Sequence, residues 1–242
     1  MTTGEFPIGQ RRLHDQLALL RQKLLAMSAR AEALVALAVE ALLERDAAKA
    51  QAVIAGDEEV DLLELETEEL AVSILALQQP LARDLRFLIG AIKVASDLER
   101  VGDHAVNIAQ STERLLAQPV VVPIGPELPE MARRARAMLS DALDAFVRED
   151  GALGRRVCRA DDEVDALHDS IFRIMLTRMM SDPRTINAAL EFLLASRNLE
   201  RVADLATNIG EDAVYIAEGT TIKHRADQMP PDAPPAAGGP DA

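Results

Sequence analysis

DLERVGDHAVNIAQ, residues 97–110, returns about a hundred residues later as NLERVADLATNIGE, residues 198–211, with eight identities in fourteen aligned positions. A second pair repeats in the same order upstream: GDEEVD at 56–61 and ADDEVD at 160–165. Pro80 and Pro183 follow these shorter motifs and mark corresponding turns. Two motifs and a turn recurring in one order are the signature of an internal duplication, in which each copy is one supersecondary unit.

Prolines divide the chain around those motifs. They fall at 7, 80, 119, 123, 126, 129 and 183, then five times from Pro230 onward. A helix interior tolerates Pro poorly, because the ring removes an N–H donor and clashes with the preceding turn. The Pro-poor stretches 11–46, 49–78, 81–117, 128–150, 153–181 and 184–218 are therefore expected to be six helices. Their composition agrees, since Ala, Leu, Glu and Arg lose little freedom in a helix. Two stripes of 3–4 spacing run along the third segment. One is Leu81, Leu85, Leu88, Ile92 and Ala95; the other is Phe87, Ala91, Val94, Leu98, Val101, Ala105 and Ile108. Val157, Val164, Leu167, Ile171, Ile174 and Met175 follow a similar spacing in the fifth. No stretch combines strict alternation with β-branched enrichment. The expected fold is all-α, six long helices arranged as two pseudo-symmetric three-helix bundles. Residues 1–118 form the first repeat, 119–129 (PVVVPIGPELP) an extended linker, 130–219 the second repeat, and 220–242 a disordered Pro/Ala-rich tail.

Charge and composition narrow the function. The 242 residues carry 26 Lys+Arg against 40 Asp+Glu, a formal charge of −14, with a pI near 4.7. Such a chain gains nothing from an electrostatic grip on nucleic acid or an anionic membrane. With no Trp, one Tyr and five Phe, it also lacks a base-stacking platform. A single cysteine, Cys158, excludes an internal disulfide and a Cys-cluster metal site, and reads as a packed thiol. The first ten residues have neither a basic region nor an apolar one. The most apolar long window, 24–43, is interrupted by Arg30, Glu32 and Glu40. The expectation is a cytoplasmic protein with no direct membrane insertion.

Four carboxylate pairs share the pattern acid-x-x-x-Asp: Asp57/Asp61, Glu99/Asp103, Asp161/Asp165 and Glu200/Asp204. A spacing of i, i+4 places both carboxylates on one helix face, about 5–6 Å apart at Cβ. Asn107 and Asn208 extend the α-helical row by one more turn. If the two motif-bearing helices of each repeat are neighbours, four carboxylates and an amide oxygen converge. Hard oxygen donors at that density suit Mg²⁺, Ca²⁺, Mn²⁺ or iron. The plainer alternatives are solvated helix faces, surface pairs Arg100–Asp103 and Arg201–Asp204, and N-cap roles for Asp57 and Asp161.

Other catalytic constellations find little support. His104 has Leu205 as its counterpart, so it belongs to no symmetric ligand set and reads as a surface or bundle-edge histidine. Asp165 and His168, at i, i+3, only faintly resemble the duplicated Glu-x-x-His of di-iron bundles. A Gly-rich phosphate loop and a nucleophile elbow are both missing. The run Met175, Met179, Met180 reads as core or as an adaptable contact surface. No basic cluster is visible along the sequence, which argues against phosphate binding by the protein itself.

These motifs resemble the PhoU proteins, phosphate-uptake regulators associated with bacterial phosphate transporters. The resemblance rests on DLERVGDHAVNIA, its twin NLERVADLATNIGE, GDEEVD, ADDEVD and QQPLARDLRFLIGAIKVASDLER, and spans about residues 11–218. It implies tandem three-helix bundles and no enzymatic activity. It also implies multinuclear sites for divalent or trivalent metal ions (iron, magnesium, manganese or zinc). The matching positions are Asp57, Asp61, Glu99, Asp103, Asn107, Asp161, Asp165, Glu200, Asp204 and Asn208. Ala203 and Leu205, standing where the first copy has Gly102 and His104, set the second site apart. The implied activity is negative regulation of the phosphate-starvation response and modulation of phosphate uptake. The implied partners are a sensor histidine kinase and the cytoplasmic side of a phosphate ABC transporter. Apolar helix faces allow a homodimer. A carboxylate-bridged di-metal enzyme and a metal-free helical scaffold are the alternatives.

Overall fold

The computed structural model describes residues 8–222, all of whose regular elements are helices. They are α1 (Ile8–Glu44), α2 (Ala47–Gly56), α3 (Glu58–Gln78), α4 (Ala82–Leu116), α5 (Glu127–Arg148), α6 (Gly151–Ser181) and α7 (Ile186–Glu218). A single 3₁₀ turn, Pro183–Thr185, precedes α7. The expected six rods are present, with one correction. The segment 49–78 is divided at Asp57, whose dihedrals (φ −69°, ψ −34°) nevertheless remain right-handed helical. The division is one tightened turn, in which Val60 N–H bonds the Asp57 carbonyl at 2.7 Å, an i→i+3 bond. The last three residues of the expected linker, 127–129, open α5, so the connection between repeats ends at Pro126. Most of the expected tail, from 223 onward, lies outside the described residues.

The duplication is visible in the turns. Arg45 and Glu149 both adopt a left-handed conformation, at φ 55° and 56°. Each is followed by an aspartate that caps the next helix. Asp46 accepts from Ala48 and Lys49 N–H at 2.8 and 3.1 Å; Asp150 accepts from Leu153 N–H at 3.0 Å. A side-chain oxygen at this position satisfies amides that the first helical turn leaves orphaned. The α2–α3 rod is thus the structural counterpart of α6.

α4 and α7 are central. α4 packs against α1, α2, α3 and α7, and α7 against α4, α5 and α6. One hydrophobic core runs through both repeats. The second of the two α4 stripes, from Phe87 to Ile108, is fully buried. The other stripe does not behave as a core face: Leu88 and Ala95 are buried, but Ile92 is only partly so, Leu81 is 81 % exposed and Leu85 is also open to water. Two apolar stripes on one helix had only one core to enter. Where α6 crosses α7, Gly154 and Gly210 bring the backbones together; a Cβ at Gly154 would lie 2.5 Å from the Gly210 carbonyl oxygen. The repeats are tied at one end by Glu149, which accepts from Arg21 Nη2 at 3.0 Å and also pairs with Arg83. Arg21 stacks on Phe87, 4.3 Å from the ring centroid, and Phe87 meets Phe146 at 5.2 Å between centroids.

Candidate metal centre

Helical periodicity carries Asp57 and Asp61 onto the face of α3 that looks toward α4, and Glu99 and Asp103 onto the facing side of α4. Their mutual electrostatics establish the proximity. Burial, then the charges of Asp61 and Asp103, raise the pKa of Asp57 to about 6. Burial, then Asp103, Glu64, Asp61 and Asp57, raise that of Glu99 to about 7. In the second repeat burial leads again, followed by Asp165, Asp204, Asp162 and Glu200, and Asp161 rises to about 7. Asp165 is raised by burial, Glu200 and Asp204. The four expected carboxylates therefore gather in each repeat. A carboxylate among like charges and removed from water holds its proton more tightly.

Asp57 and Asp161 are the inner members. In each, Oδ1 is buried without a hydrogen-bond partner, an arrangement that ordinarily carries a desolvation cost of about 1–3 kcal/mol. Neither serves as an N-cap: Asp57 makes no side-chain cap bond, and Asp161 lies in the interior of α6. Gly102 explains how Asp57 fits. A Cβ at that position would overlap Asp57 Oδ1, so the carboxylate rests directly on the α4 backbone. The second repeat has Ala203 at the matching place. Asn107 is exposed and Asn208 half-buried, one turn beyond Asp103 and Asp204.

The structure adds a residue to each cluster. Glu64, one turn after Asp61, is raised by burial and by Glu68 and Asp61, and its carboxylate is hydrogen-bonded by Ser96. Its counterpart is His168, whose Nε2 lies 3.5 Å from Glu200 Oε2, while Nδ1 is 3.1 Å from Ser196 Oγ. The signal for Glu64 was present as a third acid at i+7 from Asp57, but the duplication hid it by placing His opposite Glu.

This exchange makes the clusters unequal. Among the described residues no ion pair ends on Asp57, Asp61, Glu64, Glu99 or Asp103. Arg100 reaches Asp97 Oδ1 at 3.7 Å instead of Asp103. In the second cluster Arg197 pairs with Glu200 and Arg201 with Asp204 Oδ2 at 2.9 Å, alongside His168. The first is an uncompensated five-carboxylate patch; the second carries its own cations.

Oxygen donors, and the buried carboxylate oxygens Asp57 Oδ1, Asp161 Oδ1 and Glu200 Oε2 that lack a hydrogen-bond partner, fit a hard cation in donor type and charge. Among the described residues, however, no three His, Cys, Asp or Glu side chains are gathered closely enough to hold one as they stand.

His104 sits half-buried on the seam between α4 and α7, with Nδ1 2.9 Å from Asn198 Oδ1. Burial is the main cause of its lowered pKa, and Arg100 and Arg201 add to it. Cys158 is a buried thiol pushed up to about 12, chiefly by desolvation, which leaves it unreactive. Met175 is buried while Met180 is 78 % exposed, so the Met run divides between core and surface.

A duplicated three-helix unit with a carboxylate cluster in each copy defines a class of tandem-repeat, all-helical bundle proteins. The chain belongs to the PhoU family. The PhoU domain model matches twice, at residues 24–112 and 128–213. A relative from Caulobacter vibrioides, a phosphate-specific transport system accessory protein PhoU homolog, is 41 % identical over 197 residues, covering 81 % of this chain and 86 % of the relative. One of the same description from Pseudomonas putida is 39 % identical over 205 residues, 85 % and 80 % of the two chains. The crystal structure of PhoU from Pseudomonas aeruginosa superposes with a TM-score of 0.80 at 37 % identity, over 86 % of this chain and 99 % of that one. The phosphate transport system regulatory protein PhoU from Streptococcus pneumoniae gives 0.80 at 27 %, over 87 % and 99 %. No helix among the described residues is long and apolar enough to cross a membrane.

Proposed function

We propose that this protein is a non-enzymatic accessory of a phosphate transport system, a metal-loaded adaptor that holds the phosphate-starvation response off when phosphate is plentiful. Its relatives are named as accessory and regulatory proteins of phosphate transport. The observation that carries the adaptor reading is the composition of one helix face. Along α4 the row Asp103, Glu99, Ser96, Ile92, Ile89, Leu85 passes from carboxylates to exposed apolar side chains, and α7 repeats it as Asp204, Glu200, Arg197, Leu193, Leu190, Ile186. Ile89, Leu85, Leu190 and Ile186 are all exposed. Contiguous apolar surface beside a polar site marks a protein-docking face. The docking partners in this reading are the cytoplasmic side of the phosphate ABC transporter and the sensor histidine kinase.

Asp57, Asp61, Glu64, Glu99 and Asp103 would hold divalent or trivalent ions in the first repeat, and Asp161, Asp165, Glu200 and Asp204 in the second, with Asn107 and Asn208 as neutral oxygen donors. Bound cations supply positive charge to a face that is otherwise strongly negative. The protein's own residues present that face and the apolar rows beside it. Regulation follows by linkage: the adaptor shifts the kinase between signalling states only by its difference in affinity for the two.

The test is alkaline phosphatase activity in phosphate-replete cells lacking this gene, complemented with the wild type or with Glu99→Gln, Asp103→Asn, Glu200→Gln and Asp204→Asn together. High activity in the deletion, lowered by the wild type but not by the quadruple variant, is expected. Baseline activity in the deletion would refute the regulatory reading. Full repression by a metal-free quadruple variant would remove metal from it.

A further inference from the structure

The seam where α4 packs on α7 holds an open groove of about 290 Å³, lined among others by Arg100, His104, Arg201, Asp204, Thr207 and Asn208. It borders the second carboxylate cluster through Asp204, while the inner carboxylates Asp57 and Asp161 do not line it. Arg100 and Arg201 are the same residue of the duplicated motif, so the pseudo-symmetry brings two guanidiniums to one place in a chain of net charge −14. Like charges lining one groove repel unless an anion bridges them. Arg201 is held by Asp204 at 2.9 Å. Among the described residues Arg100 is paired only by the long 3.7 Å approach to Asp97, which leaves most of its forked N–H donors for a ligand.

The remaining lining residues supply both kinds of partner. Thr207 Oγ1 is buried without a hydrogen-bond partner, and Asn208 offers an amide. With the Nδ1 proton of His104 donated to Asn198 Oδ1, Nε2 of the neutral ring is an acceptor. Asp204 is a second acceptor. Donors alone would take any oxyanion. Donors combined with two acceptors favour one that also carries an O–H, because an unprotonated oxyanion leaves those acceptors facing lone pairs.

We propose that this groove binds a small protonated oxyanion of the phosphate class, its oxygens on the Arg100 and Arg201 guanidiniums and Thr207 Oγ1–H, and its P–OH donated to His104 Nε2 or Asp204. The site requires no metal on either carboxylate cluster. It shares Asp204 and Asn208 with the second carboxylate cluster, so a cation there and the oxyanion would compete for Asp204, and metal-free protein separates this reading from the proposed function. No single element could have formed it, since α4 supplies Arg100 and His104 and α7 the other lining residues.

The experiment is calorimetric titration of inorganic phosphate into the chelator-treated full chain at fixed ionic strength, with sulfate as the comparison. Arg100→Gln and Arg201→Gln are both at exposed positions and are expected to fold, which circular dichroism checks. Losing a charged hydrogen bond corresponds to roughly tenfold weaker binding or more. The expected result is one saturable phosphate site per chain, weakened at least about tenfold by either substitution, with sulfate weaker by a similar factor. In the wild type, phosphate should also move the His104 ring resonances. The proposal is overturned if phosphate gives no saturable signal, if both variants bind like the wild type, or if sulfate binds as well as phosphate.

Discussion

Asp57 Oδ1 lies against the α4 backbone at Gly102, in the space a Cβ would occupy. The glycine within the first long motif is thereby explained by a contact with a residue of the short motif. Gly102→Ala must push the carboxylate outward or separate α3 from α4. Overpacking of this kind costs about 1–3 kcal/mol, partly offset by the roughly 1 kcal/mol that Ala gains over Gly in a helix. The expected outcome is a modest loss of thermal stability with a clear loss of divalent-ion binding at the first cluster, read by calorimetry. Unchanged metal binding would show that Asp57 is not a ligand.

The raised carboxylates set a pH dependence. Asp57 stands at about 6, and Glu99 and Asp161 at about 7, above their unfolded values. The folded state therefore binds more protons than the unfolded chain between those limits, and stability must fall as pH rises. Their stabilising contribution is complete below about pH 4, near the free carboxylate values, and is lost as pH climbs through about 6 to 7. Chelator-treated protein should melt at a lower temperature at about pH 7.5 than at about pH 5, by about 2–4 °C for each kcal/mol lost. Added Mg²⁺ or Mn²⁺ should restore the difference at the higher pH and release protons on binding. A flat profile would mean the carboxylates are solvated.

Unequal compensation predicts unequal affinity. With Arg197, Arg201 and His168 at the second cluster and no ion pair at the first, a cation gains more Coulombic energy at the first. Equilibrium dialysis should resolve a tighter and a weaker class of divalent sites. Glu99→Gln with Asp103→Asn should abolish the tighter class, while Glu200→Gln with Asp204→Asn leaves it in place.

Glu149, with its side chain 10 % exposed, joins Arg21 of α1 to Arg83 at the start of α4. Glu149→Ala leaves a part-buried guanidinium over Phe87 without its anion, and a loss of about 1–3 kcal/mol is expected. Urea unfolding measures it. Metal binding should be unaffected, because the clamp is remote in sequence and in contacts from both clusters.

Much of this was legible in the chain. Proline spacing and helix-forming composition located the rods, since both act on the local backbone. The repeat identified the acid pairs because i, i+4 geometry is intrinsic to a helix. The α2–α3 division escaped because one tightened turn at Asp57 leaves no Pro or strong breaker beyond Gly56. Glu64 has His168 as its counterpart, so the internal repeat leaves no identity at that position.

The helices and the carboxylate rows were legible in the chain because each depends on residues within a few turns of one another, and the duplication because its motifs repeat in order. Packing across helices settled which α4 stripe is core, why Gly102 must be small, which cluster keeps its charge uncompensated, and that Arg100 and Arg201 share a groove. Those outcomes depend on side chains far apart in the chain meeting across packed helices. Periodicity assigns a residue to a face; packing decides what that face meets.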